Sequence, residues 1–220
     1  IGDALEEAPD VVLISDYEKG LLGEEILKLL IESANSRSIP VLVDPGRSGN
    51  WTSYRGATLI CPNRYEASSA SGIDLSSSVE RQLEAGKLLL DDLELEHCIL
   101  TLDRDGITRI SRGGENRRHP TVVHGITDVA GAGDMVLSLL GLALASGWNI
   151  DDACQLANLG AGIEVQKVGV QPVERWELEA ARKSLIGESP DPLRSREQIR
   201  EIAERSRAAA QVVVFTNGCF

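Results

Sequence analysis

Basic residues are scarce in this chain: 22 Lys and Arg stand against 34 Asp and Glu, for a net charge of −12. No basic patch interrupts that acidity, so the electrostatic footprint that a phosphate backbone requires is missing and nucleic acid is not an expected partner. Cysteine is equally sparse. Cys61, Cys98, Cys154 and Cys219 are 37, 56 and 65 residues apart, which excludes zinc-ligand and redox-motif spacing and leaves free thiols of a reducing cytosol. The three histidines, His97, His119 and His124, form no ligand pattern with them, and no structural metal is assigned. No apolar run approaches the ~20 residues of a membrane span, and the first fifteen residues are acidic where a signal peptide would be basic. A cytoplasmic protein without a membrane partner is expected. The 42% hydrophobic content is ample for a buried core, and 220 residues fit one large domain or one domain plus a fragment.

Against this background stands Asp128-Val129-Ala130-Gly131-Ala132-Gly133-Asp134, followed by the apolar run from Met135 to Ala145. Two glycines flank an alanine at an expected helix N-terminus, where unpaired N–H groups and the positive end of the helix dipole suit an anion. Asp134, on the first turn, places a carboxylate beside that phosphate-sized site. The pairing points to phosphoryl transfer, with backbone N–H groups stabilising charge on the transferred group and a carboxylate taking the proton of the attacking hydroxyl.

The rest of the chain alternates. Strands are expected at 10–15, 41–43, 58–61 and 98–102, and an edge strand around 121–124. Between and after them helices are expected at 24–37, from Pro62 onward, at 77–90 behind a Ser77/Glu80 capping box, and at 131–146, 150–168 and 173–186. Asp105-Gly106 reads as a hairpin turn ahead of Ile107 to Ile110. The pattern implies a three-layer α/β fold with a mainly parallel sheet and ligands at the edge where the strands end. Asp16, Asp44, Asn63, Glu66, Asp103 and the glycine turn all fall at that edge. From Gly187 to Pro192 the chain reads as a linker; a charged helix over 195–210 and a strand over 211–216 look like the beginning of another domain. With Ile1 at one end and a strand-like run before Phe220 at the other, both ends are expected to be cut.

With these residues in hand, the chain resembles the ribokinase-like family of carbohydrate kinases, whose motif Asp-x-x-Gly-Ala-Gly-Asp is met from Asp128 to Asp134. The resemblance implies ATP as phosphoryl donor, the backbone of Gly131, Ala132 and Gly133 as anion hole, and Asp134 as catalytic base. Asn63-x-x-Glu66 matches the family's second motif, which implies Mg2+ and phosphate positioning. Asn63, Thr101, Asp103, Gly106 and Asn158 correspond to the nucleotide side, and Asp16 and Lys19, with Arg55 as a further cation, to the substrate side. Related kinases hold a monovalent cation with backbone oxygens next to the motif, which implies a K+ site at Asp128 and Ala130. Within the family, Ser15-Asp16-Tyr17-Glu18-Lys19-Gly20, Val43-Asp44-Pro45, Tyr54-Arg55-Gly56-Ala57-Thr58 and Ala157-Asn158 to Lys167-Val168-Gly169 look like the heptose 7-phosphate kinases that carry an adenylyltransferase domain. Val214-Phe215-Thr216-Asn217-Gly218-Cys219-Phe220 is similar to the start of that second domain.

The resemblance divides the chain into the C-terminal part of a kinase domain, 1–186, a linker, 187–194, and the truncated start of a nucleotidyltransferase domain, 195–220. It implies phosphorylation of D-glycero-β-D-manno-heptose 7-phosphate at the 1-hydroxyl, toward ADP-heptose and the lipopolysaccharide core, in an intact protein that is a homodimer. The N-terminal part that supplies much of the sugar pocket is absent from these residues, so the fragment alone is expected to be inactive. Three positions depart from the family pattern: Ala130 stands where threonine is usual, Glu18 where a small residue is usual, and Gly46 where lysine commonly follows Asp-Pro. Glu18 and Gly46 are expected to weaken or retune phosphate-side contacts, since one adds a negative charge and the other removes a positive one. The alternatives are a kinase of another sugar or nucleoside, such as ribose, fructose or adenosine, and a catalytically silent α/β scaffold. A dinucleotide site fits less well, because Val136 stands where a third small residue is required.

Overall fold

The computed structural model describes residues 2–48, 51–76, 78–121, 131–185 and 196–208. They fall into two compact units, 1–178 and 179–220.

Side-chain alternation builds the first unit. In β2 (Val41–Asp44), Val41 and Val43 point to one side of the sheet and Leu42 to the other, and all three are fully buried. In β4 (His97–Thr101), Cys98 and Leu100 join the first side and Ile99 the second. Strands covered on both faces need apolar residues at every position, which is why they read as continuous hydrophobic runs. On the first face pack α2 (Glu24–Asn35), α3 (Arg64–Ser71) and α4 (Val79–Asp92), through Leu27, Ile31, Ala67, Ala85 and Leu89. On the second face pack α5 (Ala132–Ala145) and α6 (Ile150–Glu164), through Val136, Leu140, Ala153 and Ala157. Each fully buried Leu or Ile of these two layers contributes roughly 1.5–3 kcal/mol relative to exposure.

The sheet runs in the order β1 (Val12–Ser15), β2, β3 (Leu59–Ile60), β4, β5 (Ile107–Ser111), β6 (Arg117–His119). The first four strands are parallel and the last two pairs antiparallel. Four parallel strands end at one edge of the sheet. An isolated bridge between Asn63 and Thr101 extends the β3/β4 pairing onto that edge. The three-layer, mainly parallel architecture is the one expected.

Three details differ from expectation. Helix α4 is capped by Ser78, whose side chain accepts from the Arg81 N–H; with Arg81 at the third helical position no carboxylate can return to the cap, so no capping box forms there. A strand β6 at Arg117–His119, with only His119 of the three buried, pairs with β5 and was not expected; the strand expected at 121–124 lies, but for Thr121, outside the described residues. A short helix α1 (Gly2–Glu6) precedes β1 and carried no sequence signal. The 122–130 segment, the 187–194 linker and the 211–216 strand lie outside the described residues. After α7 (Arg175–Leu185), the second unit contains α8 (Arg196–Ala208). Among the described residues no helix is long and apolar enough to cross a membrane.

Candidate active site

A cleft of about 1810 Å3 opens along the edge where the parallel strands end. Its floor is the start of α5. Gly131, the N-cap, has φ +87°, a left-handed conformation that glycine adopts without strain, and an added Cβ would lie 2.5 Å from Glu164 Oε1. Gly133 comes close to the sheet, though less tightly: a Cβ there would be 3.2 Å from Asp44 Oδ2. These two glycines let the turn lie against two carboxylates while the first N–H groups of α5 stay free of side-chain caps. The geometry fits a phosphate over Gly131 to Gly133.

Asp134 is on the first turn of α5, and both of its oxygens are held from β1 and its following loop. Ser15 Oγ donates to Oδ1 at 3.0 Å, and the Tyr17 hydroxyl donates a short hydrogen bond to Oδ2. That bond, reinforced by partial burial, pushes the Tyr17 phenol above its usual value, because the proton is held between the two groups.

Three more carboxylates surround the turn. Asp44 ends β2, and burial, then Glu66 and Asp134, push it up to about 7. Glu66 is also raised, by burial first, against the N–H of Asn63 that its Oε2 accepts at 2.9 Å. Glu164, 3% exposed, is raised by burial and by Asp134, and its Oε2 finds no hydrogen-bond partner among the described residues. Glu164 carried one sequence signal, an acid within the apolar run Gly162-Ile163-Glu164-Val165. Ser15 and Tyr17 lie two apart at a strand end, but only the fold places them on Asp134.

The other expected residues line the same cleft, several with structural duties. Asn63 caps α3 by accepting from the Glu66 N–H, and with the returning Glu66 carboxylate forms a complete capping box. Thr101 Oγ1 leans on the Pro62 carbonyl at 3.4 Å. Asp103 is exposed and pairs with Arg64, which also reaches Asp105 and the carbonyls of Leu75 and Leu102. Gly106, at φ +84°, passes so near the next strand that a Cβ would lie 2.2 Å from the His119 carbonyl oxygen. Asn158 is 8% exposed and donates to the carbonyls of His119 and Pro120. Asp16 accepts from the Tyr54 hydroxyl at 2.7 Å and from the Glu18 N–H at 2.8 Å, which fixes the loop after β1. Lys19 is exposed at the cleft wall, while Arg55 pairs with Glu94 and is not among the cleft residues. Asp128 and Ala130 lie outside the described residues.

The two departures at 18 and 46 belong together. The Glu18 side chain lies over Gly46 so closely that a Cβ at 46 would meet its Cγ at 2.4 Å, and its Oε1 accepts the Ser48 N–H at 3.0 Å. Gly46 makes room for Glu18, and Glu18 satisfies the turn that follows Gly46. The carboxylate is held low by those Ser48 bonds.

Among the described residues no group of three or more His, Cys, Asp or Glu has the geometry to hold a metal ion by itself. What the cleft offers is the Asp44 and Glu66 pair, whose mutual repulsion a divalent cation shared with phosphate oxygens would relieve.

Comparison with known proteins places these features in context. The family described as pfkB family carbohydrate kinase matches residues 3–177. The chain is 43% identical over 211 residues to the bifunctional protein HldE of Syntrophotalea carbinolica, covering 96% of this chain and 43% of the relative. It is 39% identical, with the same coverage, to the bifunctional protein HldE of Geobacter sulfurreducens. The chain thus spans less than half the length of these relatives. Among solved structures, Arabidopsis thaliana ribokinase complexed with ribose and ATP superposes with TM-score 0.71 at 18% identity, over 83% of this chain and 59% of that one. Phosphofructokinase-2 of Escherichia coli in complex with potassium gives TM-score 0.72 at 15% identity, over 84% and 60%. Both likenesses are of fold.

Proposed function

This chain belongs to the pfkB family of carbohydrate kinases, and we propose that its cleft transfers the γ-phosphoryl group of ATP to a sugar hydroxyl. The observation that carries the proposal is Asp134: a carboxylate held by Ser15 on the first turn of a helix whose N-terminal residues, Gly131 to Gly133, line the same cleft.

The acceptor is the 1-hydroxyl of D-glycero-β-D-manno-heptose 7-phosphate, and the product heptose 1,7-bisphosphate, on the path to ADP-heptose. The kinship with proteins named HldE supports this acceptor over ribose, fructose or adenosine, as do the motifs shared with heptose 7-phosphate kinases. Asp134 takes the proton from the acceptor hydroxyl as its oxygen bonds to the γ-phosphorus, and the bond to the bridging oxygen breaks with its electron pair leaving on ADP. The backbone of Gly131, Ala132 and Gly133 stabilises the charge that develops on the transferred oxygens. Asn63, Thr101, Asp103, Gly106 and Asn158 form the nucleotide wall; Asp16 and Lys19 face the acceptor side. Mg2+, held with Asp44 and Glu66, would neutralise phosphate charge. The matched fit of Glu18 over Gly46 supports an active site over a silent scaffold, since it accounts for two of the departures without loss of the phosphate turn.

Asp134→Asn in the intact protein lowers kcat by about 10^2–10^4, the usual worth of a positioned general base, with ATP affinity within about twofold of the parent. Phosphate transfer followed with labelled ATP, beside calorimetric titration of the nucleotide, checks both numbers. Undiminished turnover in the variant overturns the assignment.

A further inference from the structure

Tyr17 has no part in the scheme above, yet it makes the most direct contact with the proposed base. Its ring is 65% exposed at the end of an edge strand, and its hydroxyl nevertheless turns inward to donate to Asp134 Oδ2. The other carboxylate oxygen already holds Ser15 Oγ, which is partly buried and anchored on β1. Asp134 therefore offers an acceptor hydroxyl no oxygen that lacks a protein donor. Each oxygen keeps a second lone pair, but an alcohol that comes to Asp134 from the cleft passes the exposed Tyr17 ring that lines it. Ser15 is part of the β1/β2 register, opposite Asp44, so its partly buried hydroxyl leaves Oδ1 only by a change of rotamer on a fixed backbone. Tyr17 is in the loop, exposed, and can swing out on its own χ1.

We propose that Tyr17 is a plug on the base: its phenol stands on the cleft-side approach to Asp134 Oδ2 that the sugar hydroxyl takes, and the sugar displaces the ring as it reaches the base. This rests on the reading of Asp134 as the base. It adds a specificity device, because a small nucleophile competes poorly with a hydrogen-bonded phenol while a sugar held by its other hydroxyls can replace it. Water is the competitor that matters. If water takes the free oxygen's place, its proton goes to Asp134, its oxygen bonds to the γ-phosphorus, and ATP yields ADP and inorganic phosphate without product sugar.

Tyr17→Phe in the intact protein keeps the ring and removes the donor. The expected result is sugar-independent ATP hydrolysis raised about tenfold, the factor that a lost hydrogen bond to a charged group gives. With heptose 7-phosphate present, KM falls and kcat stays within about threefold. Hydrolysis at the parental level, or a kcat loss with KM unchanged, overturns the plug and makes Tyr17 an orienting donor that stays in place during transfer. A second measurement needs no turnover: ultraviolet titration of tyrosinate in the ATP-free protein. The Tyr17 phenol, identified as the transition missing in Tyr17→Phe, titrates at lower pH once Asp134→Asn has removed the carboxylate charge. An unmoved transition means the contact is absent in solution and overturns the plug. The two readings fail separately: an Asp134→Asn enzyme with full turnover strikes at the base, whereas an unmoved phenol strikes only at Tyr17.

Discussion

Single residues in this cleft are chosen by what a carbon atom would collide with. Gly106 combines φ +84° and ψ −140°, a region that side chains avoid, with a backbone oxygen 2.2 Å from where a Cβ would be. Backbone cannot rotate aside as a side chain can. Gly106→Ala is therefore expected to destabilise the first unit by about 3 kcal/mol or more, read as a lowered urea midpoint at unchanged slope; a loss below 1 kcal/mol would mean the turn re-forms around the methyl. Gly86 gives the contrast. Its Cβ would meet Cδ1 and Cγ1 of the buried Ile110 at 2.6 and 2.9 Å, but these are side-chain atoms, which can turn aside where a backbone oxygen cannot. The same logic explains why Glu18 and Gly46 read as two unrelated departures in the sequence: nothing in one dimension says that positions 28 apart share a volume.

At the scale of elements, Asn63-x-x-Glu66 has two jobs. In the fold it is the capping box that starts α3, and in the proposed reaction it faces the nucleotide and Mg2+. Substitution separates them. Asn63→Ala loses the cap and about 1 kcal/mol of stability, whereas Asn63→Ser retains a hydroxyl acceptor for the Glu66 N–H and most of that stability. If Asn63 also touches the nucleotide, the serine variant binds ATP more weakly while unfolding almost as the parent does. Calorimetry and chemical denaturation on the parent and the two variants decide it, and parental ATP affinity in Asn63→Ser would leave Asn63 as a cap alone. The N-cap of α4 illustrates the limit of pattern reading. Ser77 and Ser78 both precede a helical stripe and either can serve by pattern; in the structure Ser78 is the extended residue whose side chain accepts from the Arg81 N–H.

Across the whole molecule, an acidic chain has gathered Asp44, Glu66, Asp134 and Glu164 around one helix start, and this sets its response to pH. Asp44 has a folded value of about 7 against an ordinary 3.8. Between these values Asp44 binds more proton in the folded state than in the unfolded one, so its contribution to stability is greatest at acid pH, is lost as pH rises through about 7, and is constant above it. Glu66 and Glu164 are raised as well and act in the same sense. Asp44→Asn removes the largest part of this slope: the variant gains about 1–3 kcal/mol near pH 8, the usual penalty of a buried unpaired polar group, and little near pH 4. Urea unfolding across that range measures it, and parallel curves for parent and variant would show that Asp44 is solvated. Mg·ATP, by supplying a cation to the cleft, is expected to stabilise by about 2.7 kcal/mol at a hundredfold excess over its Kd.

The sequence alone determined the layers, the parallel strands and the edge that carries the cleft, because apolar runs of strand length and helical stripes follow local rules of period and burial. It also determined the glycine turn that opens α5 beside Asp134, since glycines next to a helix start and an acid are legible without neighbours. The tertiary structure decided what depends on residues far apart in the chain. Ser15 and Tyr17 meet Asp134 across 119 and 117 positions, and Glu164 comes under Gly131 from another helix. It added a strand at Arg117–His119, where Asn158 donates to the His119 carbonyl, Gly106 lets that backbone come close, and no propensity favours the charged pair before it. The raised carboxyls follow for the same reason: a proton's affinity is set by burial and by the charges nearby, and both exist only once the sheet and α5 have packed.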